Sequence, residues 1–217
     1  YDGDGICDLA VFEPISGNWW IRSLSAVPPT IAAGLNWGFP PSVVPLWGDY
    51  DGDLIADMAV FDLATGNWWI RSVANVPATI AALNWGFAGT EPLSGDYDGD
   101  GVHDLAVFDP LTGEWYIRSL VVVPATILFA LPWGTADMVP VPGDYDGDGI
   151  FDLAVFDTVT GNWYIRSVAS PPKIIAFGLP FGTSDMIPVS GDYDGDGIFD
   201  LALFDTTTGN WWIRSLV

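Results

Sequence analysis

The stretch Asp144-Tyr145-Asp146-Gly147-Asp148-Gly149-Ile150-Phe151-Asp152 places carboxylates at its positions 1, 3, 5 and 9. Four carboxylates at that spacing repel one another, and a folded loop that holds them is destabilised unless a cation neutralises them. Hard oxygen donors, no soft donor, and a glycine at position 6 for a sharp turn make up a Ca²⁺ ligand set. The backbone carbonyl of Ile150, at position 7, is placed to add a further oxygen. Mg²⁺ suits the loop less well, because it resists dehydration and demands tight octahedral geometry.

The same spacing recurs as Asp49, Asp51, Asp53, Asp57; as Asp96, Asp98, Asp100, Asp104; and as Asp192, Asp194, Asp196, Asp200. At the start of the chain it is represented by Asp2, Asp4 and Asp8. Together with Asp144, Asp146, Asp148 and Asp152 these residues are 19 of the 28 acidic residues and account for most of the formal net charge of −22. About one Ca²⁺ per repeat is therefore expected. An EF-hand is excluded: its loop closes with Glu at position 12, where this chain carries Val60, Val107, Val155 and Leu203. In one copy Leu54 replaces the position-6 glycine, which predicts local strain.

The elements that position these loops repeat with them. Tyr-Asp-Gly-Asp recurs at Tyr1, Tyr50, Tyr97, Tyr145 and Tyr193, which divides the 217 residues into copies 1–49, 50–96, 97–144, 145–192 and a partial 193–217. Each full copy follows the loop with an apolar run such as Leu105-Ala106-Val107-Phe108, then a turn, Asp109-Pro110-Leu111-Thr112-Gly113. An aromatic run comes next, Trp115-Tyr116-Ile117-Arg118, then a third run, Thr126 to Leu131, and a short Val139-Pro140-Val141-Pro142-Gly143 segment. Runs of four to eight residues rich in β-branched and aromatic types, bounded by Gly, Pro and Asp, read as strands, about four per copy. The Asp-Pro-x-Thr-Gly turn predicts a hairpin that sets each Arg opposite the Leu after the last loop Asp. Apolar residues on both faces of Leu-Ala-Val-Phe call for a sheet covered on both sides, as in a propeller blade or a stacked array.

From Asp144 to Phe156 the chain reads Asp-Tyr-Asp-Gly-Asp-Gly-x-x-Asp-Leu-Ala-Val-Phe, and Thr208 to Ile213 reads Thr-Gly-Asn-Trp-Trp-Ile. This pattern resembles the FG-GAP or VCBS-type repeats of bacterial surface and secreted proteins and, more remotely, integrin α-subunit propellers and some fungal lectins. The resemblance covers essentially the whole chain. It implies all-β, four-stranded propeller blades with Ca²⁺ between the first two strands of each, in an extracellular or cell-surface protein, with the loop aspartates above as ligands. A five-bladed or open propeller is expected, with a linear β-repeat array as the alternative.

The remaining residues narrow the function classes. A field this acidic repels phosphate backbones, so nucleic acid is not an expected partner. The most apolar stretch, Leu120 to Trp133, is interrupted by Pro124 and Pro132 and is too short to span a bilayer. One cysteine, Cys7, and one histidine, His103, rule out a disulfide framework, a thiolate cluster and a His-based triad within the chain. Both occupy a variable loop position filled elsewhere by Ala56, Phe151 and Phe199, which reads as an exposed filler. The five arginines, Arg22, Arg71, Arg118, Arg166 and Arg214, read as cations that partly neutralise the loops, or alternatively as ligand-binding groups beside an aromatic platform. The recurring Trp and Tyr slots read as a repeated core layer. The expected function is a non-enzymatic, calcium-stabilised structural, adhesive or scaffold protein. A lectin-like propeller and a self-associating fibre subunit are the alternatives.

Overall fold

The computed structural model of the chain describes residues 1–25, 29–38, 42–74, 79–121 and 126–217. Every regular element in it is a β-strand, and the strands form five small antiparallel sheets. The first sheet holds β1 (Leu9–Glu13), β2 (Asn18–Arg22) and β3 (Thr30–Asn36). The second holds β4 (Val43–Gly48), β5 (Asp57–Asp62), β6 (Asn67–Arg71) and β7 (Thr79–Asn84). The third holds β8 (Glu91–Gly95), β9 (Asp104–Asp109), β10 (Glu114–Arg118) and β11 (Thr126–Pro132). The fourth runs through β12 (Met138–Pro140), β13 (Leu153–Asp157), β14 (Asn162–Arg166) and β15 (Ile174–Pro180). The fifth ends the described chain with β16 (Met186–Pro188), β17 (Leu201–Asp205) and β18 (Trp211–Arg214).

The sheets are the blades of a five-blade β-propeller. Pro45, Pro92, Pro140 and Pro188, on the opening strands of four consecutive blades, line a single funnel of about 550 Å³. A linear array would not bring four such strands to one cavity, so the linear alternative is set aside. Proline cannot donate to a ladder and is confined to edge strands, which is the place these inner strands occupy. The short Val-Pro segment that closes each sequence copy is thus the innermost strand of the next blade; Val139 pairs with Phe156 and Pro140 with Val155. Two blades depart from the expected four strands. Among the described residues the first sheet has three strands, β1 to β3, and the fifth has three, β16 to β18.

Blade-to-blade packing explains why Leu-Ala-Val-Phe is apolar on both faces. On β9, Leu105 and Val107 pack into the cluster built by Tyr50, Phe61, Trp68 and Ile70 of the preceding blade. The alternate residues Ala106 and Phe108 join Trp115 and Ile117 beneath Leu153 and Val155 of the following blade. Each such side chain, fully buried, contributes roughly 1.5–3 kcal/mol. The hairpin register is as expected, with Arg118 opposite Leu105 and Arg166 opposite Leu153. The terminal blades show the same chemistry uncovered: Leu9 and Val11 are 57% and 60% exposed, and Trp211 and Ile213 are 52% and 47% exposed.

Two non-glycine residues sit in the left-handed region, Leu54 at φ 66° and Ala130 at φ 53°. Leu54 fills the loop position where Gly101, Gly149 and Gly197 have φ of 86°, 83° and 88°. Ala130 fills the β-bulge position taken by Gly34 and Gly178, at φ 67° and 66°, in the corresponding strands of the first and fourth blades. A side chain costs about 1–2 kcal/mol there. Leu54 is 84% exposed, so removing its side chain gives up little burial. Leu54→Gly and Ala130→Gly are each expected to raise stability by about 0.5–1 kcal/mol after the added chain entropy of glycine. Urea unfolding midpoints measured at one fixed Ca²⁺ concentration check this.

Candidate functional site

In each of the last four blades the acidic loop connects the innermost strand to the second, and its position-1 aspartate organises the turn. Asp144 Oδ1 accepts from the Gly147 N–H at 2.7 Å and Oδ2 from the Gly149 N–H at 2.8 Å. Asp49, Asp96 and Asp192 receive the equivalent pairs of backbone donors. The amides of Gly197 and Gly195 hold the Asp192 carboxyl below the usual carboxylate range. At position 5, Asp53, Asp100, Asp148 and Asp196 each accept from the amide two residues on, at 2.8–2.9 Å.

Position 9 differs in kind. Asp57, Asp104 and Asp152 are buried, with residue exposures of 0%, 1% and 0%. One oxygen of each accepts the N–H of the loop tyrosine: Tyr50 at 2.8 Å, Tyr97 at 2.7 Å and Tyr145 at 2.8 Å. The other oxygen, Oδ1, has no hydrogen-bond partner in any of the three. Burial pushes each of these carboxyls up to about 7, against the pull of the tyrosine amide; the other loop aspartates raise it further. A buried carboxylate oxygen without a donor is a costly arrangement that a cation relieves.

The ligand atoms converge. One oxygen each from Asp96, Asp98 and Asp104 lies within 4.8 Å of the other two, as do those of Asp144, Asp146 and Asp152 and of Asp192, Asp194 and Asp200. In the second blade the close trio is Asp49, Asp51 and Asp53, with Asp57 outside it. Donors of a Ca²⁺ ion sit at about 2.3–2.6 Å from it, so oxygens held this close can share one ion. The donor set therefore fits Ca²⁺. Asp100, Asp148 and Asp196 stand outside the trios, and Asp2, Asp4 and Asp8 form no comparably close set. Asp4 instead accepts from the Ile6 amide at 2.8 Å and from the Ser25 hydroxyl, while Asp8 pairs with the Tyr1 nitrogen at 2.9 Å. Lys173, the only lysine in the sequence, reaches Asp146 Oδ2 at 2.7 Å.

Several expectations are corrected here. The slot of Ala56, His103, Phe151 and Phe199 is half-buried, and is exposed only at Cys7 in the first blade. His103 lies against Gly48 of the preceding blade and 5.9 Å from the Tyr50 ring; Phe199 lies against Gly143, 6.1 Å from Tyr145. Burial lowers the His103 imidazole below its usual range. The same residues stitch adjacent loops together, as the His103, Phe151 and Phe199 amides each donate at 2.7 Å to the carbonyl of Asp49, Asp96 or Asp144. Open space opposite a glycine tolerates many side-chain sizes, and that tolerance reads in sequence like exposure.

The arginines also go elsewhere. Among the described residues no arginine forms an ion pair with a carboxylate. Arg71, Arg118 and Arg166 instead lie over Trp37, Trp85 and Trp133 of the preceding blade, at 5.5, 5.7 and 5.9 Å from the ring centroids. The first ring of the aromatic pair is core in the first four blades: Trp19, Trp68, Trp115 and Trp163 are at most 3% exposed. The second ring is not. Between the second and third blades, Trp85, Phe87, Tyr116, Arg118 and Phe129 line a cleft of about 510 Å³. Tyr116 is the corner of that cleft, edge-on to Phe87 at 5.7 Å and to Phe129 at 5.3 Å.

No protein-family model and no curated protein sequence matches the chain. Solved structures do match in shape. A lectin of Agrocybe aegerita, described as recognising non-reducing terminal N-acetylglucosamine, superposes with a TM-score of 0.66 over 99% of this chain at 14% identity. A protein from Lactobacillus plantarum superposes over 94% of it with a TM-score of 0.50 at 13% identity. The chain spans 63% and 66% of the lengths of those two chains. At such identities the likeness concerns the fold, and no helix of the described chain is long and apolar enough to cross a membrane.

Proposed function

We propose that the chain is a calcium-stabilised, non-catalytic propeller that serves outside the cell as a binding or adhesion module. The observation that carries the metal reading is the partnerless, buried Oδ1 of Asp57, Asp104 and Asp152, repeated at one loop position in three blades. Bound Ca²⁺ would neutralise the loop carboxylates and thereby favour the folded blades. The chain's own residues do the rest: position-1 aspartates shape the turn, and the loop tyrosine amide fixes the position-9 carboxylate. Loops with few fixed protein ligands match the weak, millimolar affinities of extracellular Ca²⁺ modules. Neither His103 nor Cys7 is assigned a catalytic role; the one is packed between blades and the other stands alone. Equilibrium dialysis with radioactive Ca²⁺ tests this reading, and retention of no ion at millimolar Ca²⁺ would refute it.

A second reading adds a ligand. The cleft at Trp85, Tyr116 and Arg118 offers exposed aromatic edges, with a guanidinium already held over an indole. That chemistry suits a sugar, which stacks an apolar ring face on an aromatic and gives its hydroxyls to donors. The propeller likeness to an N-acetylglucosamine-recognising lectin supports a carbohydrate over other small ligands. Titration with N-acetylglucosamine and a panel of simple sugars to millimolar concentration, followed by tryptophan fluorescence, is expected to show saturable binding. Arg118→Ala should weaken it about tenfold, the loss of one charged hydrogen bond. A flat titration across the panel removes the carbohydrate reading and leaves the metal reading standing.

A further inference from the structure

In the fourth blade the chain brings a cation of its own to the acidic loop. Lys173 stands just before β15, seven residues after Arg166, where the first three blades carry Pro29, Ala78 and Ala125 after their arginines. The connection from the aromatic strand to the outermost strand closes on itself at this point. The Ser167 N–H donates to the Lys173 carbonyl at 2.9 Å, as the Ser23 N–H does to the Pro29 carbonyl at 2.7 Å in the first blade. The connection then leans on the acidic loop of its own blade. In the first blade the Ser25 hydroxyl donates from it to Asp4; in the fourth the Lys173 ammonium reaches Asp146 Oδ2 at 2.7 Å. Among the described residues no other side-chain cation forms an ion pair with a loop carboxylate.

The carboxylate it meets is not a surface group. The Asp146 side chain is 6% exposed, and one of its oxygens lies within 4.8 Å of oxygens from Asp144 and Asp152. Two oxygens of this trio, Asp146 Oδ1 and Asp152 Oδ1, are buried without a hydrogen-bond partner. The loop thus holds acceptors that no backbone donor satisfies, and the ammonium is the positive side chain set against them. An ammonium on a flexible stem acts as a point charge and imposes no fixed coordination geometry. The Lys173 side chain is itself 61% exposed, so it leaves the carboxylate for water without unpacking anything. A releasable cation seated on a ligand of a cation site competes for that site.

We infer that Lys173 is a tethered counter-cation of the fourth loop, which an incoming Ca²⁺ must displace, so that this loop fills at higher Ca²⁺ than its ligands alone would set. The inference rests on the calcium reading of the loops. Ca²⁺ takes its oxygen donors at about 2.3–2.6 Å, so an ion on the Asp146 carboxylate would stand within about 7 Å of an ammonium held on Oδ2. Like charges that close, over carboxylates shielded from water, repel one another. Without Ca²⁺ the lysine offsets one of the four formal charges of Asp144, Asp146, Asp148 and Asp152. When Ca²⁺ enters, the ammonium is released to solvent. The fourth loop is therefore eased when empty and slower to respond as Ca²⁺ rises.

The test is a CaCl₂ titration of the whole, chelator-stripped chain followed by amide NMR, in which Gly147 and Gly149 report the fourth loop and Gly99 and Gly101 the third. Lys173→Gln is expected to lower the fourth-loop midpoint at least about fivefold and to leave the third-loop midpoint unchanged. Lys173→Arg keeps the charge and should keep the fourth-loop midpoint within about twofold of the wild type. A lysine that served only to shape the connection would not separate the two variants in this way. The single lysine also gives a single side-chain signal, which is expected to shift with the same midpoint as Gly147. Equal fourth-loop midpoints in the wild type and Lys173→Gln, or a lysine signal that ignores Ca²⁺ while Gly147 moves, overturn the inference and leave the calcium reading standing. If Gly147 and Gly149 ignore tens of millimolar Ca²⁺ in both proteins, the calcium reading of this loop falls together with the inference.

Discussion

Replacing about 10 mM Ca²⁺ by a chelator is expected to lower the melting temperature of this chain by about 10 °C or more. A ligand that binds only the folded state stabilises it by RT ln(1 + [L]/Kd), about 1.4 kcal/mol per site at a tenfold excess over a millimolar Kd. Several loops of equal design add their contributions, and in a chain of this size 1 kcal/mol shifts the midpoint by roughly 2–4 °C. The effect is large because the chelated state keeps the cost of the loops without the ion. Asp57, Asp104 and Asp152 each carry a buried carboxylate oxygen with no donor, and Asp104 and Asp152 each stand with two further carboxylates in one close cluster. Mg²⁺ at the same concentration should recover much less of the stability, since it surrenders its hydration water reluctantly. Calorimetric melts in the two cations and in chelator measure this, and identical midpoints in all three would refute it.

The second large effect is a reversal of sign. Asp152→Asn keeps the shape of the side chain and the acceptor for the Tyr145 amide, which Asp152 Oδ2 receives at 2.8 Å. It removes one buried negative charge and aims an amide N–H₂ at the cluster of Asp144 and Asp146. With chelator at pH 8, where the wild-type carboxyl is ionised above its raised value of about 7, the variant is expected to be more stable than the wild type by about 1–2 kcal/mol. With saturating Ca²⁺ the same variant is expected to be less stable by a similar amount, because a charged ligand is gone. A purely structural aspartate would give one sign in both buffers. Guanidinium unfolding of the two proteins in both buffers separates the cases.

Much of this architecture is legible in the sequence because a repeat prints the same physics several times. The acidic loops, the strands and the register of Arg118 on Leu105 all follow from spacing and turn chemistry. The loop strain at Leu54 is visible as a glycine missing from an otherwise constant slot. The equivalent signal at Ala130 lies in comparing it with Gly34 and Gly178, which takes an alignment of the bulged strands. Blade phase is harder. A periodic sequence has no natural cut, so Val139 and Pro140 read as the end of one copy although they pair with the next.

Contacts between copies are less legible still. His103 and Arg118 each face the preceding blade, and a pattern read within one repeat assigns such residues to solvent or to the nearest opposite charge. The exposure of Trp211 beside its buried sisters Trp163 and Trp115 is likewise a fact about neighbours, invisible in the Trp-x-Ile-Arg motif that all three share. The acidic loops themselves are legible from residue type and spacing alone. Their partnerless oxygens, on which the proposed cation reading rests, emerge only once Tyr50, Tyr97 and Tyr145 are seen to satisfy one oxygen of each pair.

The central claim is that these loops bind Ca²⁺, and its most direct test is a calorimetric titration of the chelator-stripped chain with CaCl₂. Saturable binding of about one ion per complete loop is expected, at the sub-millimolar to millimolar affinities of extracellular Ca²⁺ modules, and with one site fewer in Asp152→Asn. A titration that shows only dilution heat up to tens of millimolar Ca²⁺, or an unchanged stoichiometry in the variant, would contradict it.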